Sequence, residues 1–364
     1  MGFDSFLGNA GAVQAVRDML TRGRVPGSML FTGPDGIGKK TLAVMLAKAL
    51  NCERRGDQGN DFCGECSRCR KADEFVATSG EDLARRRDIK DAQKRVEGLL
   101  YFDLQLIEPI TRYILIEQIR QLRATAYTRP FTLQQRVLIV DQAQAIHWQA
   151  ADLLLKVLEE PPETTTIILI CPNAYELRPT IRSRCLTLQF TQVEESVIER
   201  VLAGERGLAR GELALALRVV NGSIATARNL DLKEYLERRK PWLALLDTVA
   251  RPSARSLAPQ QWKALFDATK ALAGERGNAE ESLRTGSVLL RDMMHVLVEG
   301  ENAAVTNIDL LPRLKTWAQA LKLDGIRKLE AGIERSHSLQ NRNVNQQLTF
   351  DSLTAELLGS PTRP

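Results

Sequence analysis

The chain has 364 residues, 44% of them apolar, and a formal net charge of +5. That is enough for a sizeable core in two or three domains. No apolar run approaches the ~20 residues of a membrane span and Met1 to Ser5 lack the features of a secretory signal, so a soluble, cytoplasmic protein with no membrane partner is expected; the modest charge permits contact with nucleic acid without arguing for it.

Phe6-Leu7-Gly8-Asn9 opens the first domain, and Ala12 to Leu20 place apolar residues at helical spacing. Met29-Leu30-Phe31 reads as a buried strand and Leu42 to Leu50 as a helix. Between them stands Gly33-Pro34-Asp35-Gly36-Ile37-Gly38-Lys39-Lys40-Thr41. Strand, glycine-rich turn and helix make the context of a phosphate-binding loop: Gly33, Gly36 and Gly38 let backbone N–H groups converge on phosphate oxygens, and Lys39 adds a full charge to the helix N-terminus. The plain alternative is a glycine-rich turn without function. One position departs from the pattern. Where a Ser or Thr hydroxyl should ligate Mg²⁺ there is Lys40, and Thr41, about 100° further round the helix, points elsewhere. ATP or ADP is therefore expected to bind weakly or not at all, with poor metal placement.

Cys52, Cys63, Cys66 and Cys69 follow as C-x10-C-x2-C-x2-C, four of the six cysteines in 18 positions. In a reducing cytosol this clustering favours a metal over disulfides, and four thiolates suit a closed, structural Zn²⁺ site; free thiols are the alternative. Residues 71–100 carry many charges of both signs, including Arg85, Arg86 and Arg87, and read as a solvated helix or helical hairpin on the surface, with a nucleic-acid contact as the sharper alternative. Tyr101 to Ile107 reads as a strand, Ile114 to Ile116 as a short segment, and Glu117 to Leu122 as a helix. Arg136 to Val140 is a buried parallel strand ending on Asp141, the place of a carboxylate that holds Mg²⁺ in phosphate-loop proteins, although capping alone would also account for it. Ala150 to Glu160 is helical, and Thr166 to Ile170 and Leu186 to Phe190 complete the strands. Strands separated by helices imply a doubly wound parallel sheet with ligand at its C-terminal edge.

Met29 to Leu50, the four cysteines, Arg136 to Pro162 and the triplet Ser183-Arg184-Cys185 together resemble the AAA+ clamp-loader family, whose members open a sliding clamp and place it on primed DNA. The resemblance implies an α/β AAA+ domain over 1–190 carrying the zinc module (52–69) and the charged insertion (71–100). A helical lid over 191–230, an all-helical collar over 231–358 and a tail over 359–364 follow. It implies partners as well: ATPase subunits of the gamma and tau kind and a delta subunit in a five-membered ring, with the clamp and primed DNA reached through that assembly, within a DNA-directed DNA polymerase holoenzyme. It gives Arg184 the role of an arginine finger acting on a neighbour's ATP, where spacing alone would suggest a salt bridge. The same resemblance exposes departures: Lys40, Gln142 where a catalytic Glu is expected, Cys171-Pro172 where a polar γ-phosphate sensor is expected, and Ala225 in place of a lid arginine, with Arg228 one turn on. An intact finger beside a defective site implies a subunit that triggers hydrolysis elsewhere. A gamma- or tau-like motor ATPase and a zinc-dependent DNA-binding protein are the competing readings. In the last domain, helices are expected at Tyr235 to Ala250, Gln260 to Ala273, Glu281 to Val298 and Leu311 to Ile333, with breaks near Ser253, Pro259, Gly277, Gly300 and Glu301.

Overall fold

Strands that are apolar along their whole length have no face to offer water, so they stack side by side beneath helices. The structure, a computed structural model, describes residues 2–56, 59–91, 93–99, 102–250, 258–273, 276–339 and 346–359. In chain order the first elements are α1 (Ala10–Thr21), β1 (Ser28–Thr32), α2 (Lys39–Asn51), α3 (Ser67–Asp88), β2 (Leu104–Ile107) and α4 (Ile116–Ala126). They are followed by β3 (Arg136–Val140), α5 (Trp148–Glu159), β4 (Thr165–Cys171), α6 (Pro179–Arg182) and β5 (Leu186–Gln189). The strands form one parallel sheet in the order β2-β3-β4-β1-β5. Every residue of β1, β2, β3 and β4 is buried, whereas β5, at an edge, buries only Leu188. Because all five strands run the same way, Gly33, Glu108, Asp141 and Pro172 leave the sheet at a single edge, where a ligand is expected.

The expected α/β sheet is therefore present, with shifts at element ends. α2 begins at Lys39 rather than Leu42, because Gly38 in a left-handed conformation starts the helix. Of the expected strand from Tyr101, the described ladder is Leu104–Ile107, and Tyr101 lies outside the described residues. Ile114 forms only an isolated bridge to Ile146 before α4. The charged stretch is not solvated all round. Ala72, Phe75, Ser79, Leu83 and Arg86, spaced at helical intervals, give α3 a buried face, and Phe75 stacks on Phe102 with ring centroids 4.9 Å apart. Arg86 closes the turn after α3 by donating to the carbonyl oxygens of Arg95, Glu97 and Gly98 while Asp82 holds its Nε.

The remainder is helical: α7 (Glu195–Gly204), α8 (Arg210–Val220), α9 (Ile224–Asn229), α10 (Leu232–Val249), α11 (Pro259–Ala273), α12 (Arg276–Glu299), α13 (Leu311–Leu339) and α14 (Gln346–Gly359). The chain divides into two compact units, Met1–Val201 with Gly222–Arg228, and Leu202–Asn221 with Asn229–Pro364. The core of the second gathers Trp242, Leu246, Met293, Trp317 and Phe350, and the Trp242 indole N–H is satisfied by the Ser282 carbonyl at 2.8 Å. α13 is broken at Lys322, where φ is 52°. Gly359 ends α14 instead of opening a tail; residues 360–364 and Ser253 lie outside the described residues. No helix among the described residues is long and apolar enough to cross a membrane.

Candidate functional site

The turn from β1 to α2 is built on glycine for reasons that are local and steric. Gly33 has φ 143°, and a Cβ there would lie 2.3 Å from the Phe190 carbonyl oxygen; Gly36 has φ 73°, and a Cβ would lie 2.1 Å from Ser223 Oγ. The Gly33 N–H donates to Pro172 O at 3.1 Å and the Ala225 N–H donates to Gly36 O at 3.0 Å, so β4 and the start of α9 both hold the turn. Lys39 is buried and folds back over it, donating to Gly33 O and, at 2.6 Å, to Pro34 O, with Asp35 3.5 Å away. Burial pushes its ammonium below the ordinary lysine value despite Asp35. Thr41 is exposed on α2.

The Lys40 side chain, 46% exposed, is drawn toward two acids at the sheet edge. Ile107 and Val140 are register partners on β2 and β3, so the residues that follow them, Glu108 and Asp141, emerge together. The Lys40 ammonium lies 2.8 Å from Glu108 Oε1 and 3.3 Å from Asp141 Oδ2. Partial burial opposes its charge, but the hydrogen bonds and charges of Glu108 and Asp141 outweigh that and hold it above the ordinary lysine value. The other oxygen of each acid is also engaged: Asp141 Oδ1 accepts from the Gln142 N–H at 2.9 Å, and Glu108 Oε2 meets Arg87 at 3.0 Å. Gln142 is exposed, with φ 53°. Cys171 is buried opposite Thr32, and burial pushes its thiol up, which leaves it a neutral, weak donor where a polar sensor is expected. Glu108 was not singled out in the sequence, and Arg87 only as one of three arginines in the charged stretch. The available signal was an acid directly following a strand, as at Asp141.

The four cysteine sulfurs lie within 4.8 Å of one another. Cys52 Sγ is 3.6 Å from Cys63 Sγ and 3.9 Å from Cys66 Sγ, against about 3.8 Å for a tetrahedron of metal–sulfur bonds of ~2.3 Å. Cys52 caps the end of α2, Cys66 the start of α3, and Cys69 is in its first turn. Backbone N–H groups of Arg54 and Cys63 donate to Cys52 Sγ, and those of Glu65 and Cys66 to Cys63 Sγ. The Glu65 N–H is the main reason the Cys63 thiol comes down to about 6. Donors already aimed at sulfur and a closed four-sulfur set fit a structural metal ion, and leave no open coordination position for catalysis.

Arg184 lies on the turn between α6 and β5. Its Nη1 donates to Thr180 O at 2.9 Å and its Nε is 3.3 Å from Glu159 Oε2 at the end of α5. The finger candidate is thus tethered to its own subunit and is not drawn into the cluster around Lys40. Ala225 and Arg228 are exposed on α9.

The family described as "DNA polymerase III, delta subunit" matches residues 8–194. A DNA polymerase III subunit delta' from Bacillus subtilis is 25% identical over 342 residues, 93% of this chain and 92% of that protein. A subunit gamma from Buchnera aphidicola and a subunit tau from Escherichia coli are each 28% identical, over 55% and 63% of this chain. The chain spans only 48% of that gamma and 32% of that tau. Among solved structures, a DNA polymerase III gamma subunit-related protein from Thermotoga maritima aligns over 95% of this chain and 98% of its own, with 16% identity and a TM-score of 0.46. The family match covers more than half of the residues and takes in the glycine turn, the cysteine cluster, Asp141 and Arg184; the chain belongs to the DNA polymerase III delta subunit family.

Proposed function

We propose that the chain is a clamp-loader subunit that hydrolyses no ATP of its own and presents Arg184 to the nucleotide of a neighbouring ATPase subunit. One observation carries the first half: both oxygens of Asp141 are already engaged, by the Gln142 N–H and by Lys40, and the residue that should activate water is an amide that cannot take a proton. In this reading the partners are gamma- or tau-like ATPases and a delta subunit in a five-membered ring that opens the sliding clamp and places it on primed DNA. The likeness to a delta' subunit along nearly the whole chain supports this assignment. The test is reconstitution. The isolated chain is expected to hydrolyse ATP no faster than a no-protein control, and the partner subunits are expected to assemble and load clamps only when it is added. Sustained turnover by the chain alone would defeat the proposal.

A second reading, a gamma- or tau-like motor, draws on the 28% identity to those subunits. Lys40 and Gln142 count against it, and tight Mg²⁺-dependent nucleotide binding by the unaltered chain would restore it.

The cysteine cluster takes its place as a structural zinc module that joins the end of α2 to the start of α3. Purified chain is expected to hold about one zinc ion, and Cys69→Ser, at the fully buried sulfur, to hold less than about a tenth of that and to melt at lower temperature. Elemental analysis beside a thermal melt decides it; wild-type chain without zinc rejects the module.

A further inference from the structure

A divalent cation beside a phosphate loop needs oxygen ligands at ~2.0–2.1 Å in near-octahedral order. The carboxylates that could supply them here, Glu108 and Asp141, already flank the Lys40 ammonium at 2.8 and 3.3 Å. An ammonium has three donors and no lone pair, so Lys40 cannot ligate a metal. It also repels one: a divalent ion about 4 Å away costs on the order of 2 kcal/mol even at the dielectric of water, and more where side chains exclude water. Glu108 and Asp141 are 15% and 19% exposed and Lys40 is 46% exposed, so water screens the repulsion only in part. The residues present therefore do not fit Mg²⁺.

They do fit a fixed cation. Lys40 is in the first turn of α2, and the helix carries the ammonium to the edge of the sheet where Glu108 and Asp141 emerge. Arg87, near the end of α3, holds Glu108 from the other side at 3.0 Å and also donates to Pro109 O. α3 itself buries Phe75 and Leu83, and Asp73 on it pairs with Lys48 of α2 at 2.6 Å. With three N–H donors, Lys40 can serve both carboxylates and still have one to offer an oxygen of a bound phosphate.

We propose that Lys40 is a resident counter-cation standing where phosphate-loop proteins place Mg²⁺, and that the loop binds a nucleoside di- or triphosphate without any divalent ion. This rests on the loop being a nucleotide site, and it replaces weak metal-assisted binding by metal-free binding. Metal-free retention of nucleotide would give the subunit a stably filled loop with no route to hydrolysis, in keeping with a trigger rather than a motor.

The test titrates the full chain with a fluorescent ADP analogue, once in excess Mg²⁺ and once in EDTA. Wild-type dissociation constants are expected to agree within about twofold between the two buffers. Lys40→Thr restores a hydroxyl and releases the Glu108 and Asp141 oxygens that faced the ammonium, so Mg²⁺ is expected to tighten its binding about tenfold or more. Lys40→Met removes the charge without supplying a ligand and is expected to weaken binding in both buffers. Circular dichroism confirms that each variant is folded. Wild-type binding that needs Mg²⁺, a Lys40→Thr variant indifferent to it, or no wild-type binding in either buffer overturns the inference. The last result would leave the non-hydrolysing, Arg184-donating role standing, whereas an undiminished rate of loader hydrolysis with Arg184→Ala would strike that role and not metal-free binding.

Discussion

Asp103→Ala is expected to weaken the sheet-bearing unit by about 3–5 kcal/mol, the cost of stranding a buried charge. Asp103 precedes β2 and is 3% exposed; Arg136 opens β3 and is 5% exposed, with Nη2 3.0 Å from Asp103 Oδ1. The carboxylate also accepts backbone N–H groups from Phe131 and Leu133, each at 2.9 Å, and from Thr132. Arg136 in turn donates to the carbonyls of Thr125, Thr128 and Arg129. One pair therefore fixes the starts of two neighbouring strands, the end of α4 and the loop between. Removing Asp103 leaves three amides without their side-chain acceptor and a buried guanidinium without its counter-charge, which is why the effect should exceed that of a surface ion pair.

Hydrogen exchange over residues 102–140 of the full chain is the suitable readout, since a chain of two units has no single unfolding free energy. Exchange there should quicken roughly 150- to 5,000-fold, from 1.36 kcal/mol per factor of ten. Exchange unchanged to within about twofold would show that the pair is not structural. The same group sets an acid limit. Burial raises the Asp103 pKa, but the N–H donors from Leu133, Thr132 and Phe131, with Arg136, outweigh it and leave it below the ordinary aspartate value. The native pKa is the lower one, so its contribution is complete above the unfolded value near ~3.9 and is lost as pH falls through the native value. Asp103→Ala should therefore flatten the fall in stability at acid pH.

What the sequence disclosed about this fold follows the range over which each feature is encoded. β3 was readable to the residue because Val137 to Val140 are apolar without interruption, behind Arg136 and ahead of the acid Asp141. The phosphate turn was readable because its glycines answer a local backbone need, φ of 143°, 73° and 99° at Gly33, Gly36 and Gly38. Glu108 could not be read as a partner of Asp141, since only the register of β2 against β3 makes them neighbours. Lys40 was read as a missing hydroxyl, which it is; that its ammonium lies between two carboxylates depends on residues 68 and 101 positions away. Arg87 lay in a run of three arginines that local composition treats alike. In the fold Arg86 is buried and caps a turn, while Arg87 meets Glu108. α14 was not separately expected, because its apolar residues follow no strong helical stripe and it gains its place by packing Phe350 onto Trp242. In each case what was missed was set by the fold's pairing of distant residues rather than by local propensity.

Arg184→Ala is expected to abolish DNA-stimulated ATP hydrolysis by the reconstituted loader while leaving this chain folded. An arginine supplied in trans stabilises charge on the γ-phosphate as it transfers and is worth ~10³-fold or more in rate. What Arg184 does within its own subunit is small by comparison. Its ion pair to Glu159 is 3.3 Å long with the carboxylate 59% exposed, a class of interaction that contributes at most about 1 kcal/mol. The melting temperature of the variant should therefore stay close to that of the wild type, and this separates a finger from a structural arginine. Arg184→Lys keeps the charge and loses the planar fork, so it should restore only part of the rate. Glu159→Ala frees the guanidinium without touching the chemistry, so a loader carrying it should keep or exceed wild-type hydrolysis. A loader with Arg184→Ala that consumes ATP at the ordinary rate would reduce Arg184 to the surface salt bridge it makes with Glu159, and the trigger role would have to be sought in another residue.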